Sequence, residues 1–356
     1  MDINFLAPCK DLSGGLRVIT AYAEGLRMLG HNVTVVVPRR ALSPRQRLRR
    51  LRDDLREGFP DRHHLVRFGG RVVDVPDLSA KYIPRGDILV ATAYRTAGPV
   101  AEACAHGAQG FYLIQGYETF SGVEQEVIAT YRLPLRKIAV SRWLALAVQH
   151  RSGQPCRVIP NASDFAPMSP DEGAHRPFEI GCFYSSVTGK NGALAVETLK
   201  RLRARRGKLE AVVIGTEPRP VELPEWARYV RCPDQDQLRA LYLRTKVWSV
   251  FSSEEGFCLP ALEAMGLGCA VVAYDNRGVH ETIQSSRNGY IVPFGQPEQF
   301  MTRVEDLLDD PWLHRRIARA ARERAVDFSW TASVTAMEAI FRRELMLQEF
   351  ARERIA

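Results

Sequence analysis

The sequence predicts an α/β protein made of two doubly wound domains, each with a parallel sheet. Short apolar segments typical of buried strands alternate with helical stretches almost throughout, which is the pattern of βαβ units. The chain has 356 residues, roughly twice the size of a typical domain. A proline-rich polar stretch interrupts the alternation near its middle. We therefore expect a first domain over 1–160 and a second over 161–330.

The first domain begins with an apolar strand and continues with alternating elements. Apolar, mostly β-branched runs predict strands at 3–7, 33–37, 88–91, 111–115, 137–140 and 157–159. The helices predicted between them include 15–29, 94–106 and 141–150.

The break at 160–164 continues through Pro167, Pro170 and Pro177, as expected of a linker between domains. The alternation then restarts in the second domain. Its predicted strands are 178–183, 210–214, 247–251 and 269–274. Its predicted helices are 190–204, 235–243, 260–266, 297–308 and 312–326. A last helix over 331–350 is expected to begin near Trp330.

The composition argues against several classes of protein. Hydrophobic residues make up 46% and charged residues 25% of the chain, as in globular domains and unlike disordered chains or coiled coils. No apolar run approaches the ~18 residues of a membrane span. The N-terminus lacks the pattern of a secretory signal, which predicts a cytoplasmic location. The seven cysteines are scattered without C-x-x-C spacing, so reduced thiols are favoured over disulfides or a zinc site.

The net charge of +8 is concentrated in one segment, 39–56, which holds eight arginines against Asp53 and Asp54. Leu48, Leu51 and Leu55 recur there at helical spacing. One interpretation is a basic amphipathic helix that rests on an anionic membrane surface, which would make the protein peripheral to the membrane. The alternative is a solvated helix face. Nucleic acid is not expected as a partner, because no nucleic-acid-binding motif accompanies the charge.

Doubly wound domains bind ligands at the carboxyl ends of their strands, and the segment 252–266 follows such an end. Gly256 permits a tight turn with exposed amides, and Pro260 suits the first turn of a helix whose N-terminus favours phosphate. Glu255 lies in the loop, and we expect Glu263 in the first turn of that helix. Two such carboxylates are able to bind both ends of a polyhydroxylated phosphate ester. The alternative is that they only cap and solvate the helix start.

The segment Glu255–Met265 reads E-G-F-C-L-P-A-L-E-A-M. It resembles the E-x7-E signature of retaining glycosyltransferases, especially glycosyltransferase family 4. That family has the GT-B fold, in which two Rossmann-like domains face each other across a cleft. Motifs in both halves of the chain resemble further family elements. They are Ser13-Gly14-Gly15, Val140-Ser141, the G-x-x-E turn of Gly278 and Glu281, and Asn288–Pro293.

By this resemblance, Glu255 contacts hydroxyls of the donor sugar and Glu263 binds the ribose of the nucleotide. Lys190 matches the family lysine that neutralises the diphosphate leaving group, where a fixed cation stabilises developing charge. Lys190 and Glu255 are thus the predicted catalytic residues. The remaining predicted donor-binding residues lie in two glycine-containing loops: Gly14, Gly15, Gly256, Phe257, Cys258 and Leu259.

Two of the departures from the family pattern concern the candidate site. Ser185 replaces an arginine usually found five positions before the lysine, so that Arg17 or Arg277 would have to supply the second cation. The loop after strand 111–115, where many members carry His, reads Gln115-Gly116-Tyr117-Glu118. Gln115, Tyr117 and Glu118 are therefore candidate acceptor-binding residues, with ordinary loop packing as the alternative. The Q-x-Y-E form also resembles a subgroup that includes rhamnosyl-transferring enzymes.

The resemblance implies a retaining, metal-independent, hexosyltransferase-type enzyme that uses a nucleoside-diphosphate sugar and no cofactor. Its acceptor, a glycan, a lipid-linked saccharide or a small molecule, is expected on the first domain, in polysaccharide or glycoconjugate biosynthesis. As in similar proteins, the helix at about 331–356 is expected to pack back onto that domain. The alternatives are a catalytically silent sugar-nucleotide-binding relative, or another GT-B activity such as a sugar-nucleotide epimerase or a phosphorylase.

Overall fold

The computed structural model of the chain describes residues 1–39, 63–118, 123–165 and 175–353. They form two compact units. Unit 1 comprises Met1–Ile159 together with Trp330–Ala356, and unit 2 comprises Pro160–Ser329. Each unit consists of a parallel sheet with helices, so the predicted α/β class is confirmed.

The described strands are short, and those at the sheet centres are mostly buried, as expected of parallel strands covered on both faces. In chain order they are β1 (Asp2–Leu6), β2 (Asn32–Pro38), β3 (Arg71–Val75), β4 (Ile88–Ala91), β5 (Gln109–Ile114), β6 (Arg136–Ala139), β7 (Cys156–Val158), β8 (Phe178–Phe183), β9 (Ala211–Gly215), β10 (Arg228–Arg231), β11 (Thr245–Val250), β12 (Ala270–Tyr274) and β13 (Tyr290–Val292).

The described helices connect these strands and close the chain. In chain order they are α1 (Gly14–Met28), α2 (Tyr94–Ala103), α3 (Glu124–Tyr131), α4 (Arg142–Ser152), α5 (Gly192–Arg206), α6 (Gln235–Leu243), α7 (Leu259–Gly266), α8 (Pro297–Asp309), α9 (Pro311–Ala325) and α10 (Trp330–Glu353).

The sheet of unit 1 has the order β3-β2-β1-β4-β5-β6-β7. Because β2 and β4 lie on opposite sides of β1, the direction of winding changes at β1. Helix α1 begins there, capped by the Ser13 hydroxyl, which accepts a hydrogen bond from Leu16 N at 3.2 Å.

Helix α10 completes the core of unit 1 although it is far from the rest of the unit in sequence. The Trp330 and Tyr22 rings meet edge to face, with centroids 5.3 Å apart. The Phe341 ring lies 4.6 Å from Phe111 of β5, and its side chain is fully buried. At the end of α1, His31 Nε2 lies 2.9 Å from the Glu338 carboxylate.

The sheet of unit 2 has the order β10-β9-β8-β11-β12-β13. Its winding changes between β8 and β11, because the chain runs from β8 to β9 on one side and returns to β11 on the other. Trp248 of β11 is fully buried and packs against the Tyr242 ring of α6, with centroids 4.4 Å apart. Such aromatic burial supplies much of the hydrophobic stabilisation of a core.

Most predicted elements are present with ends within a few residues of the predicted ones, but β3, β10, β13 and α3 were missed. The three strands are edge strands. Polar residues such as Arg71 and Arg228 interrupt the apolar signal of β3 and β10, and β13 is apolar but only three residues long. Helix α3 has a mixed surface, in which only Val127 and Tyr131 are buried.

The arginine-rich segment 39–56 lies outside the described residues except for Arg39, whose backbone N–H donates to Val75 O at 2.7 Å. None of the helices in the described ranges has the combination of length and apolarity needed to cross a bilayer.

Candidate functional site

The change of winding direction in unit 2 brings two loops together at the carboxyl ends of β8 and β11. Ser253 N, after β11, donates to Gly189 O, after β8, at 2.9 Å. The Asn191 side chain donates to Phe251 O at 2.9 Å. Ligands of open α/β sheets bind at such a switch point, so the side chains of these loops form the candidate site.

Lys190 and Glu255 meet across this switch point. The Lys190 ammonium donates to Glu255 Oε1 at 2.7 Å. Burial lowers the pKa of Lys190, but the charge of Glu255 and the hydrogen bond to it outweigh burial, and the pKa is raised. Because the Lys190 side chain is 46% exposed, the pair contributes little to stability. Its position places a fixed cation and a carboxylate together at the switch point of the sheet.

Helix α5 starts at Gly192, two residues later than predicted, because the preceding loop turns through left-handed conformations. Gly189 has φ +85° and Asn191 has φ 56°, a region that Gly and Asn adopt most readily. Lys190 therefore precedes the helix instead of occupying its first turn.

The loop that carries Glu255 is held by Asn276, a residue the sequence analysis missed. Glu255 N donates to Asn276 O at 2.9 Å, and the fully buried Asn276 side chain donates to Ser252 Oγ at 3.1 Å. Position 278 must be glycine for the loop to pass this close, since a Cβ on Gly278 would lie 2.6 Å from Glu255 O. The available signal for Asn276 was an amide residue directly after an apolar strand, at the ligand-binding edge of the sheet.

Helix α7 begins at Leu259, directly after Cys258, whose φ of 69° is left-handed. Phe257 and Cys258 are buried, and the Phe257 ring packs against Phe328 with centroids 5.8 Å apart. Burial raises the pKa of the Cys258 thiol to about 12, so the thiol is neutral. The first N–H groups of a helix have no partner within it and favour an anion, which fits the predicted role of the segment from Gly256 to Leu259.

The predicted location of Glu263 in the first turn of α7 is wrong. Since α7 begins at Leu259, Glu263 is its fifth residue and lies in the second turn. Its side chain is buried, with 1% exposure, and Oε2 accepts a hydrogen bond from the Tyr242 hydroxyl at 3.0 Å. The sequence did not predict Tyr242 as a neighbour of the site, because Tyr242 belongs to α6 and precedes Glu263 by 21 residues.

Ser185 lies beside a carboxylate. Its hydroxyl donates to Glu217 Oε1 at 3.1 Å, and Ser186 N donates to the same oxygen at 2.8 Å. Of the two arginines considered as substitutes, Arg277 belongs to unit 2, where it is exposed and pairs through its backbone with Glu255. Arg17 is a residue of α1 in unit 1.

The candidate residues of unit 1 gather at the carboxyl ends of its strands. Gly14 and Gly15 are the first residues of α1, and a Cβ on Gly15 would lie 3.8 Å from the Gln115 side-chain oxygen. Tyr117 O accepts a hydrogen bond from the Tyr131 hydroxyl at 3.1 Å. The loop packing considered as an alternative is thus present for Tyr117.

Glu118 has an enclosed carboxyl group at the N-terminus of α2. Its Oε2 accepts hydrogen bonds from Tyr94 N at 2.8 Å and from the Tyr112 hydroxyl at 3.1 Å. Burial raises the pKa of Glu118 to about 7, although both hydrogen bonds and the charge of Arg95 act in the opposite direction. Its φ of 58° is left-handed.

A surface cavity of about 710 Å³ lies at the opposite edge of unit 2, near the amino ends of β8 and β11. Its charged side chains largely pair with each other, as Arg206 does with Asp309 at 2.7 Å and Arg205 with Glu305 at 3.4 Å. The switch-point rule favours the other edge for ligand binding. Within the described ranges, no three His, Cys, Asp or Glu side chains are grouped so as to hold a metal ion.

Comparisons with known proteins identify a sequence family that matches most of unit 2 and solved structures that match almost the whole chain. Residues 177–324 match the sequence model of the family described as Glycosyl transferases group 1. The chain is 30% identical over 165 residues to D-inositol 3-phosphate glycosyltransferase 2 of Catenulispora acidiphila, which covers 42% of this chain and 39% of that protein. The match therefore spans about two fifths of this relative's length.

Solved structures match almost the whole chain at low sequence identity. HepE from Anabaena, in complex with UDP and glucose, has a TM-score of 0.73 and 15% identity over 96% of this chain and 100% of that one. Sucrose-phosphate synthase from Thermosynechococcus elongatus has a TM-score of 0.71 and 16% identity over 98% of this chain and 100% of that one. The chain has the GT-B fold, with two Rossmann-like domains that carry parallel sheets.

Proposed function

We propose, from the match of residues 177–324 to glycosyl transferases and from the GT-B fold, that the protein transfers a sugar from a nucleoside-diphosphate sugar to an acceptor hydroxyl. The observation that carries the proposal is the Lys190–Glu255 pair at the switch point of unit 2. A cation and a carboxylate side by side are able to bind the diphosphate and the sugar hydroxyls of one donor. The complex of HepE with UDP and glucose supports a donor of this class.

Each donor group has a counterpart in unit 2. Lys190, whose raised pKa keeps it charged, binds the diphosphate and stabilises the negative charge that develops as it leaves. The amides from Gly256 to Leu259 bind phosphate oxygens at the start of α7. Glu255 accepts hydrogen bonds from sugar hydroxyls, and Glu263, supported by the Tyr242 hydroxyl, binds the ribose.

The proposed reaction is a front-face substitution with retention, of the family 4 type, and needs neither metal nor cofactor. The bond from the anomeric carbon to the phosphate oxygen breaks, and the acceptor oxygen bonds to that carbon on the same face. The acceptor proton passes to the departing phosphate. Lys190 and the α7 N-terminus supply the positive charge that a metal ion supplies in other transferases.

The acceptor is proposed to bind at the carboxyl edge of unit 1, near Gly14, Gly15, Gln115, Tyr117 and Glu118. Glycans, lipid-linked saccharides and small molecules are all candidates, in polysaccharide or glycoconjugate biosynthesis. Contact of 39–56 with an anionic membrane is a separate proposal, which a vesicle-binding assay with arginine-to-glutamine variants would test.

A thermal-shift series with UDP, TDP, GDP and ADP tests the donor site. A ligand present at one hundred times its Kd stabilises the folded state by about 2.7 kcal/mol. We expect at least one nucleotide to raise the Tm of the wild type, with the shift lost in Lys190→Ala and Glu263→Ala. Lys200→Ala, an exposed lysine of α5, is the matched control and should retain the shift. A shift that persists unchanged in Lys190→Ala would contradict the proposed site.

One observation favours a second candidate, a catalytically silent sugar-nucleotide-binding relative. Ser185 faces the Glu217 carboxylate at a place where a cation would help a diphosphate to leave. Turnover of any nucleotide-sugar would eliminate this candidate. The anomeric configuration of the product, read by NMR coupling constants, would then test retention, and an inverted product would rule out the proposed mechanism.

A further inference from the structure

A second carboxylate borders the donor crevice on the side away from Glu255. Glu217 follows β9, which neighbours β8 on the side opposite to β11. Its Oε1 accepts hydrogen bonds from Ser185 Oγ at 3.1 Å and Ser186 N at 2.8 Å, in the same loop as Lys190. Both bonds end on one oxygen, and the Ser186 side chain also interacts with the carboxylate. Because a carboxylate is able to accept about four hydrogen bonds, Glu217 retains capacity for a ligand.

The loops after β8, β9 and β10 form one connected wall around Glu217. The Tyr229 hydroxyl of β10 donates to Glu217 O at 2.7 Å. Cys232 N donates to Gly215 O at 2.8 Å. A Cβ on Gly215 would lie 2.3 Å from the Tyr229 hydroxyl and 3.1 Å from Tyr184 O, so the wall is closely packed. It is bordered by two aromatic residues, Tyr184 and Tyr229, a side-chain class on which nucleobases stack.

Glu217 is ionised at neutral pH. Burial raises the pKa of this carboxyl, but the hydrogen bonds from Ser186 and Ser185 outweigh burial, and the pKa is lowered. An ionised carboxylate only accepts hydrogen bonds. The wall after β9 therefore attracts a ligand group rich in N–H donors and repels carbonyl oxygens.

The position of Lys190 indicates which part of the donor meets Glu217. In the proposed function the diphosphate lies at Lys190, between β8 and β11, and the sugar lies at Glu255 on the β11 side. Glu263, to which the ribose is assigned, is hydrogen-bonded to Tyr242 of α6, the helix that follows the carboxyl end of β10. From the ribose, the base then extends along α6 toward the loops after β9 and β10, where Glu217 stands.

We propose that Glu217 selects the base of the donor and favours guanine over uracil. Guanine presents two adjacent donors, N1–H and the amino group on C2, which match the two oxygens of a carboxylate. Uracil presents one N–H flanked by two carbonyl oxygens, which a carboxylate repels. Adenine presents its amino group beside a ring nitrogen that accepts. This inference rests on the proposed function, because it takes a nucleoside diphosphate as the ligand.

The test measures the affinities of GDP and UDP for the full chain by calorimetry. The wild type should bind GDP at least about tenfold more tightly than UDP, since one bidentate pair discriminates by roughly ten- to a hundredfold. Glu217→Gln should reduce this ratio to within about threefold, because an amide both donates and accepts. Glu222→Gln is the matched control, an exposed carboxylate later in the same loop, and should leave the ratio unchanged.

The outcomes separate this inference from the proposed function. Equal or tighter binding of UDP by the wild type would overturn the selection of guanine and leave the donor site intact, and this measurement needs no variant. An unchanged ratio in Glu217→Gln would overturn the role of Glu217. Absence of binding by any nucleoside diphosphate would overturn the proposed function itself, and the inference with it.

Discussion

Glu118 combines a left-handed backbone with an enclosed carboxyl group, and both features cost free energy. A non-glycine residue in this conformation costs about 1–2 kcal/mol. Burial raises the pKa of the carboxyl to about 7 from a usual 4.5, so ionisation is harder in the folded than in the unfolded chain. Unfavourable features retained at the ligand-binding edge of a sheet are typical of functional sites.

The raised pKa of Glu118 predicts a specific dependence of stability on pH. The folded state binds a proton more tightly than the unfolded state, so stability falls as pH rises from about 4.5 to about 7 and the loss is complete above that range. Glu118→Gln keeps an oxygen for Tyr94 N and cannot ionise. Chemical denaturation should show the variant gaining stability relative to wild type as pH rises from 4.5 to 8, by up to roughly 3 kcal/mol.

The control for Glu118→Gln is Glu124→Gln, which changes an exposed glutamate of α3 and should give no such trend. A difference between Glu118→Gln and wild type that stays constant across this pH range would contradict the enclosed-carboxylate interpretation.

Cys258 has a left-handed backbone conformation, which is unfavourable for a residue other than glycine. Its φ of 69° is one that Gly adopts at no steric cost, yet a thiol side chain is buried there. Asn276 Nδ2 approaches the Cys258 sulfur at 3.8 Å, so the thiol takes part in the contacts that hold the start of α7. The left-handed turn directly precedes the first amides of α7, to which we assign the phosphate oxygens.

At the scale of elements, the close approach of α1 and α10 depends on Gly25. A Cβ at this position would lie 2.5 Å from Val334 Cγ2, closer than packed atoms tolerate. Glycine normally weakens a helix interior by about 1 kcal/mol relative to alanine. Its presence in α1 is therefore explained by the packing of α10.

A double-mutant cycle tests this contact. Gly25→Ala should destabilise the protein by about 1–3 kcal/mol through overpacking, and Val334→Ala should also destabilise it by leaving a cavity. The double variant should be more stable than the sum predicts, because the new methyl group occupies the vacated space. Thermal unfolding of the four proteins gives the coupling energy.

The control for the cycle replaces Val334→Ala with Val304→Ala, which truncates a buried valine of α8 in unit 2. Its effect should add to that of Gly25→Ala, since the two residues belong to different units. Additive effects of Gly25→Ala and Val334→Ala would show that the contact does not limit the approach of the two helices.

At the scale of the whole molecule, the two units differ in how the chain builds them. Unit 2 is one continuous segment, and its main apolar cluster extends from Ile180 to Ile317 within it. Unit 1 needs α10 from the other end of the chain, because Phe341 and Met337 are fully buried there. Without α10, apolar surface on α1 and β5 would be exposed to water, at a cost of about 25 cal/mol per Å².

This difference predicts the behaviour of fragments. Residues 160–329 should fold alone and unfold cooperatively, whereas 1–159 should not fold stably unless a peptide spanning 330–353 is added. Circular dichroism during thermal unfolding would distinguish the two. Cooperative unfolding of 1–159 by itself, at the Tm it has with the peptide, would show that α10 is dispensable for this unit.

The sequence alone determined the α/β class, the positions of most central strands and helices, and the segments that carry the candidate donor site. These features depend on local signals: apolar runs of strand length, glycine and proline at turns, and a motif within one loop and helix. The edge strands β3 and β10 were missed because their polar residues interrupt the apolar signal, and β13 because it has only three residues. Helix α3 was missed because Val127 and Tyr131 are its only buried residues.

Only the tertiary structure decided which distant residues meet. The order of the strands brings together the loops that pair Lys190 with Glu255 and Ser185 with Glu217. It also brings together the two helices that carry Glu263 and Tyr242. The turn in which Glu263 lies was also decided there, by the left-handed Cys258 that precedes α7. Non-local contacts and strained backbone angles follow from packing of the whole sheet, and local sequence patterns do not encode them.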